Sequence, residues 1–272
     1  MRILVTGDKG FIGSNLMKAL GDKHTVFGLG EELFESEHWK QDLEIYLDNI
    51  FPDAVFHVGA CSDTLNTDVE YMMTRNYESS VIISNWAKVD YIPVIYSSSA
   101  ANYGNSKGKR NLYAWSKYAA EQHIIACNQI ALRYFNVYGP GEENKGRMAS
   151  VAQQMFIKHK NNEPVKLFPG QPMRDFVYID DVINANLFAL ENYDYLKGTW
   201  YDVGLGKANS FESVVEYLGI PYTYTDASTI PQNYQMFTEA NKHCMMPNWE
   251  PKTDLETGIK KYKLYLNEKL FS

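Results

Sequence analysis

The sequence predicts an α/β protein: a Rossmann-type doubly wound parallel sheet with a small α/β C-terminal substrate lobe. Three observations carry this. Short apolar runs rich in β-branched residues alternate with helical patterns as far as residue 204, the pattern of βαβ units around a parallel sheet. The first run, Arg2-Ile3-Leu4-Val5-Thr6, opens into a glycine turn and then a helix. Tyr113 and Lys117, one helical turn apart, follow a strand that ends in Ser97-Ser98-Ser99.

The 272 residues are 45% apolar and 22% charged, ordinary for a globular protein with a substantial core. A net charge of -7 without any long Lys/Arg block excludes a general nucleic-acid or membrane-surface binder. No run approaches the ~18 apolar residues of a membrane helix, and the N-terminus enters a strand directly, so a cytoplasmic protein is expected. Cys61, Cys127 and Cys244 are scattered without metal-type spacing and read as reduced, mostly buried thiols; no metal is expected.

After the first strand, Gly7-Asp8-Lys9-Gly10-Phe11-Ile12-Gly13 leads into a helix through residue 20. The glycines let backbone approach a pyrophosphate, and the helix start offers free N–H groups, so Gly7, Gly10, Phe11, Ile12 and Gly13 are candidate dinucleotide-binding residues. The second strand, residues 24–29, ends in Gly28-Leu29-Gly30 rather than in the acid that holds an adenosine ribose, with Glu31 and Glu32 arriving late. Lys9 stands where it would meet a 2′-phosphate, which tilts the cofactor towards NADP over NAD. Gln41-Asp42-Leu43 precedes a helical stretch to residue 50, and Asp42 is a candidate for the adenine amine. Residues 54–60 read as a central strand running into a small turn, Gly59-Ala60-Cys61, under the cofactor; His57 within it reads as a satisfied core histidine. One helix is expected over 69–89, carrying Asn76 as a further cofactor contact.

Residues 93–99 form the next strand, and Asn111 is the expected cap of the helix that Tyr113 opens. Hydroxyl, phenol and ammonium then meet at one edge of the sheet: Ser99 holds a substrate oxygen, Tyr113 moves its proton, and Lys117 lowers the phenol pKa and holds the nicotinamide ribose. Residues 130–138 read as one strand, 148–160 as a helix with Gln154 facing substrate, 165–168 as a short strand. Arg174 is a planar fork suited to a diphosphate. Residues 178–190 read as the final Rossmann strand and helix, 199–204 as a last strand, and Ser210 as a helix cap. The expected domains are 1–140 plus 176–204 for the dinucleotide and 141–175 plus 205–272 for a nucleotide sugar.

Several stretches carry a family resemblance: Gly-x-x-Gly-x-x-Gly, Ser98-Ser99-Ala100-Ala101, Tyr113-x-x-x-Lys117, Arg133-Tyr134-Phe135-Asn136-Val137-Tyr138-Gly139-Pro140, Lys145-Gly146 with Met148-Ala149-Ser150-Val151, and Arg174-Asp175-Phe176-Val177-Tyr178. With these the chain resembles the extended short-chain dehydrogenases of the NAD-dependent epimerase/dehydratase family, over nearly its whole length. Within that family it is most similar to the ADP-glycero-manno-heptose 6-epimerases. The resemblance implies a redox-neutral epimerisation by way of a ketone, with two acid/base groups on opposite sides of the carbinol, Tyr113 and Lys145. It places Val137 at the cofactor, Asn136, Lys145, Arg147, Gln154, Phe168 and Tyr234 with Arg174 and Ser99 at a nucleotide-diphosphate sugar, and it implies a homo-oligomer.

The chain departs from the family pattern where residues 104–112 are short, cutting down a wall over the substrate. Arg147 stands for a small Ser, Gln154 for a His and Asn233 for an Arg. Alternatives are an NADPH-dependent nucleotide-sugar reductase like GDP-fucose synthase, or a non-catalytic NAD(P)-binding module. A 4,6-dehydratase is disfavoured because Ala100-Ala101 replaces the Asp-Glu pair which that family uses.

Overall fold

The computed structural model describes residues 1–104, 110–231 and 234–270. Its strands are β1 (Arg2–Thr6), β2 (Thr25–Leu29), β3 (Ala54–His57), β4 (Val94–Ser99), β5 (Ile130–Tyr134), β6 (Asn136–Tyr138), β7 (Lys166–Leu167), β8 (Met173–Tyr178), β9 (Thr199–Val203), β10 (Ala208–Ser210) and β11 (Thr223–Tyr224). The helices are α1 (Phe11–Gly21), α2 (Trp39–Ile50), α3 (Val69–Met73), α4 (Ser79–Val89), α5 (Leu112–Ala126), α6 (Val151–Lys160), α7 (Ile179–Glu191), α8 (Tyr193–Leu196), α9 (Phe211–Leu218) and α10 (Leu255–Leu270).

Six parallel strands run in the order β2-β1-β3-β4-β5-β9. Both faces of the sheet are covered, which is why β3 and β5 are buried along their whole length, the polar His57 and Arg133 included. Side chains alternate between the faces: Ile3 and Val5 join one core cluster with Phe11, Leu16 and Val182, while Leu4 joins the other with Leu43, Leu47 and Ile83. The strand order reverses between β1 and β3, and the crevice at their carboxyl ends is where a doubly wound sheet takes its ligand.

Four expectations change in detail. The run 130–138 is not one strand: the Phe135 N–H still bonds Val203 O at 3.1 Å, after which β6 leaves the large sheet and pairs with β8. Strand β8 in turn pairs antiparallel with β10, so the segment before α7 belongs to a three-stranded sheet. The expected boundary at residue 176 therefore falls inside a strand, and β9 is what completes the large sheet. The stretch 69–89 is broken by a π turn at Thr74–Glu78 between α3 and α4. Finally, α2 begins at Trp39, so Asp42 lies in its first turn rather than ahead of a helix.

Helices α6, α9 and α10 pack on one another, with α9 on β10 and α10 on β8, while α7 and β9 return to the large sheet. Ser210 caps α9 by accepting from the Ser213 N–H at 3.1 Å, as its position predicts. Tyr262 of α10 is fully buried and donates to Gln153 of α6 at 2.8 Å. Of the three cysteines only Cys127 is buried. Among the described residues no helix is long and apolar enough to cross a membrane.

Candidate active site

The glycine turn forms a backbone cradle. Gly7 turns the chain at φ +66, a left-handed conformation that favours glycine, and a Cβ on it would lie 2.7 Å from the Gly59 Cα in the turn after β3. A Cβ on Gly13 would lie 2.0 Å from the Gly7 carbonyl oxygen. The start of α1 thus packs directly on the turn, and its unpaired N–H groups face the crevice. Here opens a cavity of about 640 Å³, lined by Gly7, Lys9, Gly10, Phe11, Ile12, Gly13, Gly59, Ala60 and Cys61 and also by Tyr113, Lys117 and Lys145. Its volume and its glycine floor fit a dinucleotide cofactor.

On one side, Asn111 caps α5 through the Ala114 N–H at 2.9 Å, and its amide also donates to Thr64 O at 3.0 Å. The cap brings Tyr113 to the end of β4, with the Ser99 side chain beside its phenol. Lys117 is buried, its Nζ 4.2 Å from the centre of the Tyr96 ring. Burial draws its pKa down to about 7, while Glu121, one turn further on, pulls it up. Burial also raises the Tyr113 pKa, and the Ser99 hydroxyl is the group that opposes it. The expected lowering of the phenol pKa by Lys117 is therefore not what the side chains do here.

Beneath these groups lies a buried network that sequence patterns did not reveal. Arg133 Nη2 pairs with Glu121 Oε1 at 2.6 Å, and Arg133 Nε with Glu121 Oε2 at 2.8 Å. The same Oε2 accepts from Ser98 Oγ at 2.6 Å and Asn102 Nδ2 at 3.0 Å. The guanidinium lies 3.5 Å from the centre of the Trp200 ring. Ser97 donates to the Tyr134 hydroxyl, which donates to Asn186. His57 is satisfied as expected, and the chain of bonds fixes its tautomer. Ser80 Oγ spends its proton on Asn76 O and so accepts from Nε2; Thr6 Oγ1 accepts from the Gly59 N–H and donates to Nδ1. Burial holds this neutral ring at a pKa of about 3.

Lys145 lines the same cavity from the turn after β6. It sits in a 3-10 turn, Glu143–Met148, that kinks at Gly146 (φ 51), with Nζ 5.2 Å from the centre of the Phe11 ring. Burial lowers its pKa and Glu142 opposes that. The fully buried Glu142 anchors the turn, accepting from the Gly139 N–H and from Ser150 Oγ. Arg147 crosses to the loop after β3, pairing with Asp63 at 2.5 Å.

Other predicted residues lie elsewhere. Asp42 is bonded by Ser36 Oγ at 2.5 Å and does not line the cavity. Asn76 is buried in the π turn and braces the site, accepting from the Cys61 N–H and donating to Cys61 O and Ser116 Oγ. Val137 is half-buried and Asn136 exposed, both off the cavity wall. Gln154 donates to Arg147 O and Ala149 O. Phe168 and Tyr234 meet edge-on at 5.0 Å with the Arg174 guanidinium 5.3 Å from the centre of the Tyr234 ring, a separate aromatic cluster beside β7 and β8. Arg174 donates to Met173 O, while Asp175 is taken up by the N–H groups of Leu205, Gly206 and Ala240. Asn233 and residues 105–109 of the short wall lie outside the described residues.

Lys9 is ion-paired with Glu32 at 2.8 Å, both side chains being largely exposed. Sequence reasoning set Glu31 and Glu32 aside as too late, yet both line the cavity with Phe34, Tyr71 and Arg75. The missed signal was the pair of acids within two residues of Gly30.

A parallel sheet with a glycine cradle at its switch point and a Ser/Tyr/Lys edge defines a dinucleotide-binding enzyme of the short-chain dehydrogenase type. The model of the NAD dependent epimerase/dehydratase family matches residues 3–204, and the chain belongs to this family. It is 34% identical to the ADP-L-glycero-D-manno-heptose-6-epimerase of Brachyspira hyodysenteriae, with 96% of each chain covered. Among solved structures it superposes on the enzyme of that name from Helicobacter pylori with a TM-score of 0.82, at 30% identity over 98% of this chain and 96% of that one. The UDP-glucose 4-epimerase of Thermotoga maritima shares the fold, at 24% identity and a TM-score of 0.83 over 99% of this chain and 100% of that one.

Proposed function

We propose that the chain is an NAD(P)-dependent nucleotide-sugar epimerase of the ADP-heptose type, inverting a sugar carbinol through a transient ketone. The observation that supports it is that Tyr113, from α5, and Lys145, from the turn after β6, both line the cavity floored by the glycine cradle. Gly7, Gly10 and Gly13 with the start of α1 would hold the pyrophosphate of the cofactor and Lys117 its ribose. The cofactor's chemistry is to take up and return a hydride.

The remaining work falls to side chains. Ser99 holds the reacting oxygen and Tyr113 exchanges a proton with it. Lys145, whose ammonium burial disfavours, does the same from the other side. Inversion needs both, because the carbinol presents its oxygen to each in turn; a one-way reductase needs one. Arg174, Phe168 and Tyr234 would take the diphosphate and base of the nucleotide, with residues 141–175 and 205–272 as the sugar-side lobe.

Purified protein given one epimer of ADP-glycero-manno-heptose should produce the other, with no net change in nicotinamide absorbance. Stoichiometric oxidation or reduction would overturn the proposal. Tyr113→Phe and Lys145→Gln should each lower turnover by roughly 10²–10⁴-fold.

A further inference from the structure

The turn that carries Lys145 is closed by a buried carboxylate. It runs from Gly139, just after β6, to Ser150, the cap of α6, whose hydroxyl accepts from the Gln153 N–H at 3.3 Å. Gly141 (φ +103) and Gly146 (φ +51) bend it twice, so regular helix geometry does not fix its course. Glu142, fully buried, reaches both ends. Its Oε1 accepts from the Gly139 N–H at 3.2 Å and from Ser150 Oγ at 2.6 Å, and its Oε2 accepts from the Ser150 N–H at 2.5 Å. Each of these partners is a donor, as an ionised carboxylate requires. The Glu142 carbonyl also takes the Lys145 N–H at 3.0 Å, so one residue holds the ends of the turn by its side chain and the middle by its backbone. The C-terminal helix braces this arrangement from outside: Tyr265 donates to Glu143, and Tyr262 to Gln153 at 2.8 Å.

We propose that Glu142 is a positioning residue for Lys145: by tying Gly139 to Ser150 it fixes where the Lys145 amine enters the cavity, and it supplies the negative charge that acts on that amine. This rests on the proposed epimerase function, in which Lys145 is the second acid/base group. Glu142 does not line the cavity, so it acts through Lys145 and not on the sugar. Placement matters because a shift of about 1 Å in a reacting group costs on the order of a hundredfold in rate. Charge matters because the amine must give and take one proton in each turnover. Burial lowers the pKa of Lys145, and Glu142 is the group that opposes this. The other titratable groups nearby are accounted for: Glu143 takes the Tyr265 hydroxyl, Arg147 pairs with Asp63, and Tyr113, Lys117 and Cys61 line the same cavity. On the α1 side the neighbour is the uncharged Phe11 ring, 5.2 Å from Nζ.

The test is steady-state epimerisation of ADP-glycero-manno-heptose as a function of pH, beside calorimetric binding of whichever of NAD⁺ and NADP⁺ the wild type takes more tightly. Glu142→Gln keeps the length, turns an NH₂ towards donors and removes the charge. Its kcat should fall by on the order of 10–100-fold, with KM and dinucleotide affinity each within about threefold of wild type. The limb of kcat against pH that belongs to Lys145 is the one missing from the residual turnover of Lys145→Gln. In Glu142→Gln that limb should move to lower pH by at least about half a pH unit, which a loss of stability alone does not produce. Glu142→Asp keeps the charge and loses the reach, so it should lower kcat and leave the limb in place. Wild-type kcat in both variants, or an unmoved limb in Glu142→Gln, would overturn the assignment of Glu142 and leave the epimerase reading standing. A loss of dinucleotide affinity as large as the loss of kcat would mark a damaged fold and overturn it too. No epimerisation by the wild type would overturn both readings. Should neither variant fold, Ser150→Ala, which removes one donor to the carboxylate, decides the point: kcat should fall by at least about fivefold at unchanged KM, and wild-type kcat would overturn the assignment.

Discussion

Replacing Glu121 by Gln tests whether the buried charge pair under the active site supports it. The two carboxylate oxygens accept four hydrogen bonds, from Ser98 Oγ, Asn102 Nδ2, Arg133 Nε and Arg133 Nη2, in a position with no solvent exposure. An amide keeps the shape, but in either orientation its NH₂ faces at least one guanidinium N–H, and the charge opposite Arg133 is gone. The guanidinium, only 7% exposed, has no water to turn to; its stacking on Trp200 persists but does not neutralise it. Removing one partner of such a pair costs about 3–5 kcal/mol. With a urea m-value near ~3 kcal/mol/M, the unfolding midpoint should fall by about 1–2 M. The double variant Glu121→Leu/Arg133→Met removes both charges and should recover much of that loss, giving a coupling visible in a double-mutant cycle. Loss of less than about 1 kcal/mol in Glu121→Gln would refute the assignment of a tightly desolvated pair. Ser98 adjoins Ser99 and Lys117 lies one turn before Glu121, so any Glu121→Gln protein that folds should also turn over more slowly.

Two further outcomes are expected. Gly13→Ala places a methyl 2.0 Å from a backbone oxygen that cannot yield, so nucleotide binding measured by calorimetry should be abolished or weakened by at least about a hundredfold, with stability reduced by about 1–3 kcal/mol. His57 is neutral in the fold, with its pKa lowered from 6.5 to about 3. Its stabilising contribution is complete above pH 6.5 and is lost as pH falls towards 3, at about 1.4 kcal/mol per pH unit. Denaturant unfolding between pH 7 and pH 5 should show this slope, and His57→Gln should flatten it.

The sequence by itself determined the alternation of strand and helix, the cradle at the first turn, the Asn111 cap and the one-turn spacing of Tyr113 and Lys117. These are local facts, set by period, by glycine and by capping chemistry, and neighbouring residues suffice to state them. It also showed His57 as a core residue, because an isolated polar group in an apolar run must be satisfied from within. What only the tertiary structure decided were the long-range pairings. The run 130–138 looks like one strand because β5 and β6 are equally extended; only the partner of each, β9 or β8, separates them. Glu121 and Arg133 meet across a helix and a strand. The Glu32 carboxylate lies against Gly30 because the turn after β2 folds back, and no local pattern records a fold-back. The pKa of Lys117 likewise followed from burial rather than from spacing, since desolvation depends on everything that surrounds a charge and not on the residue four positions away.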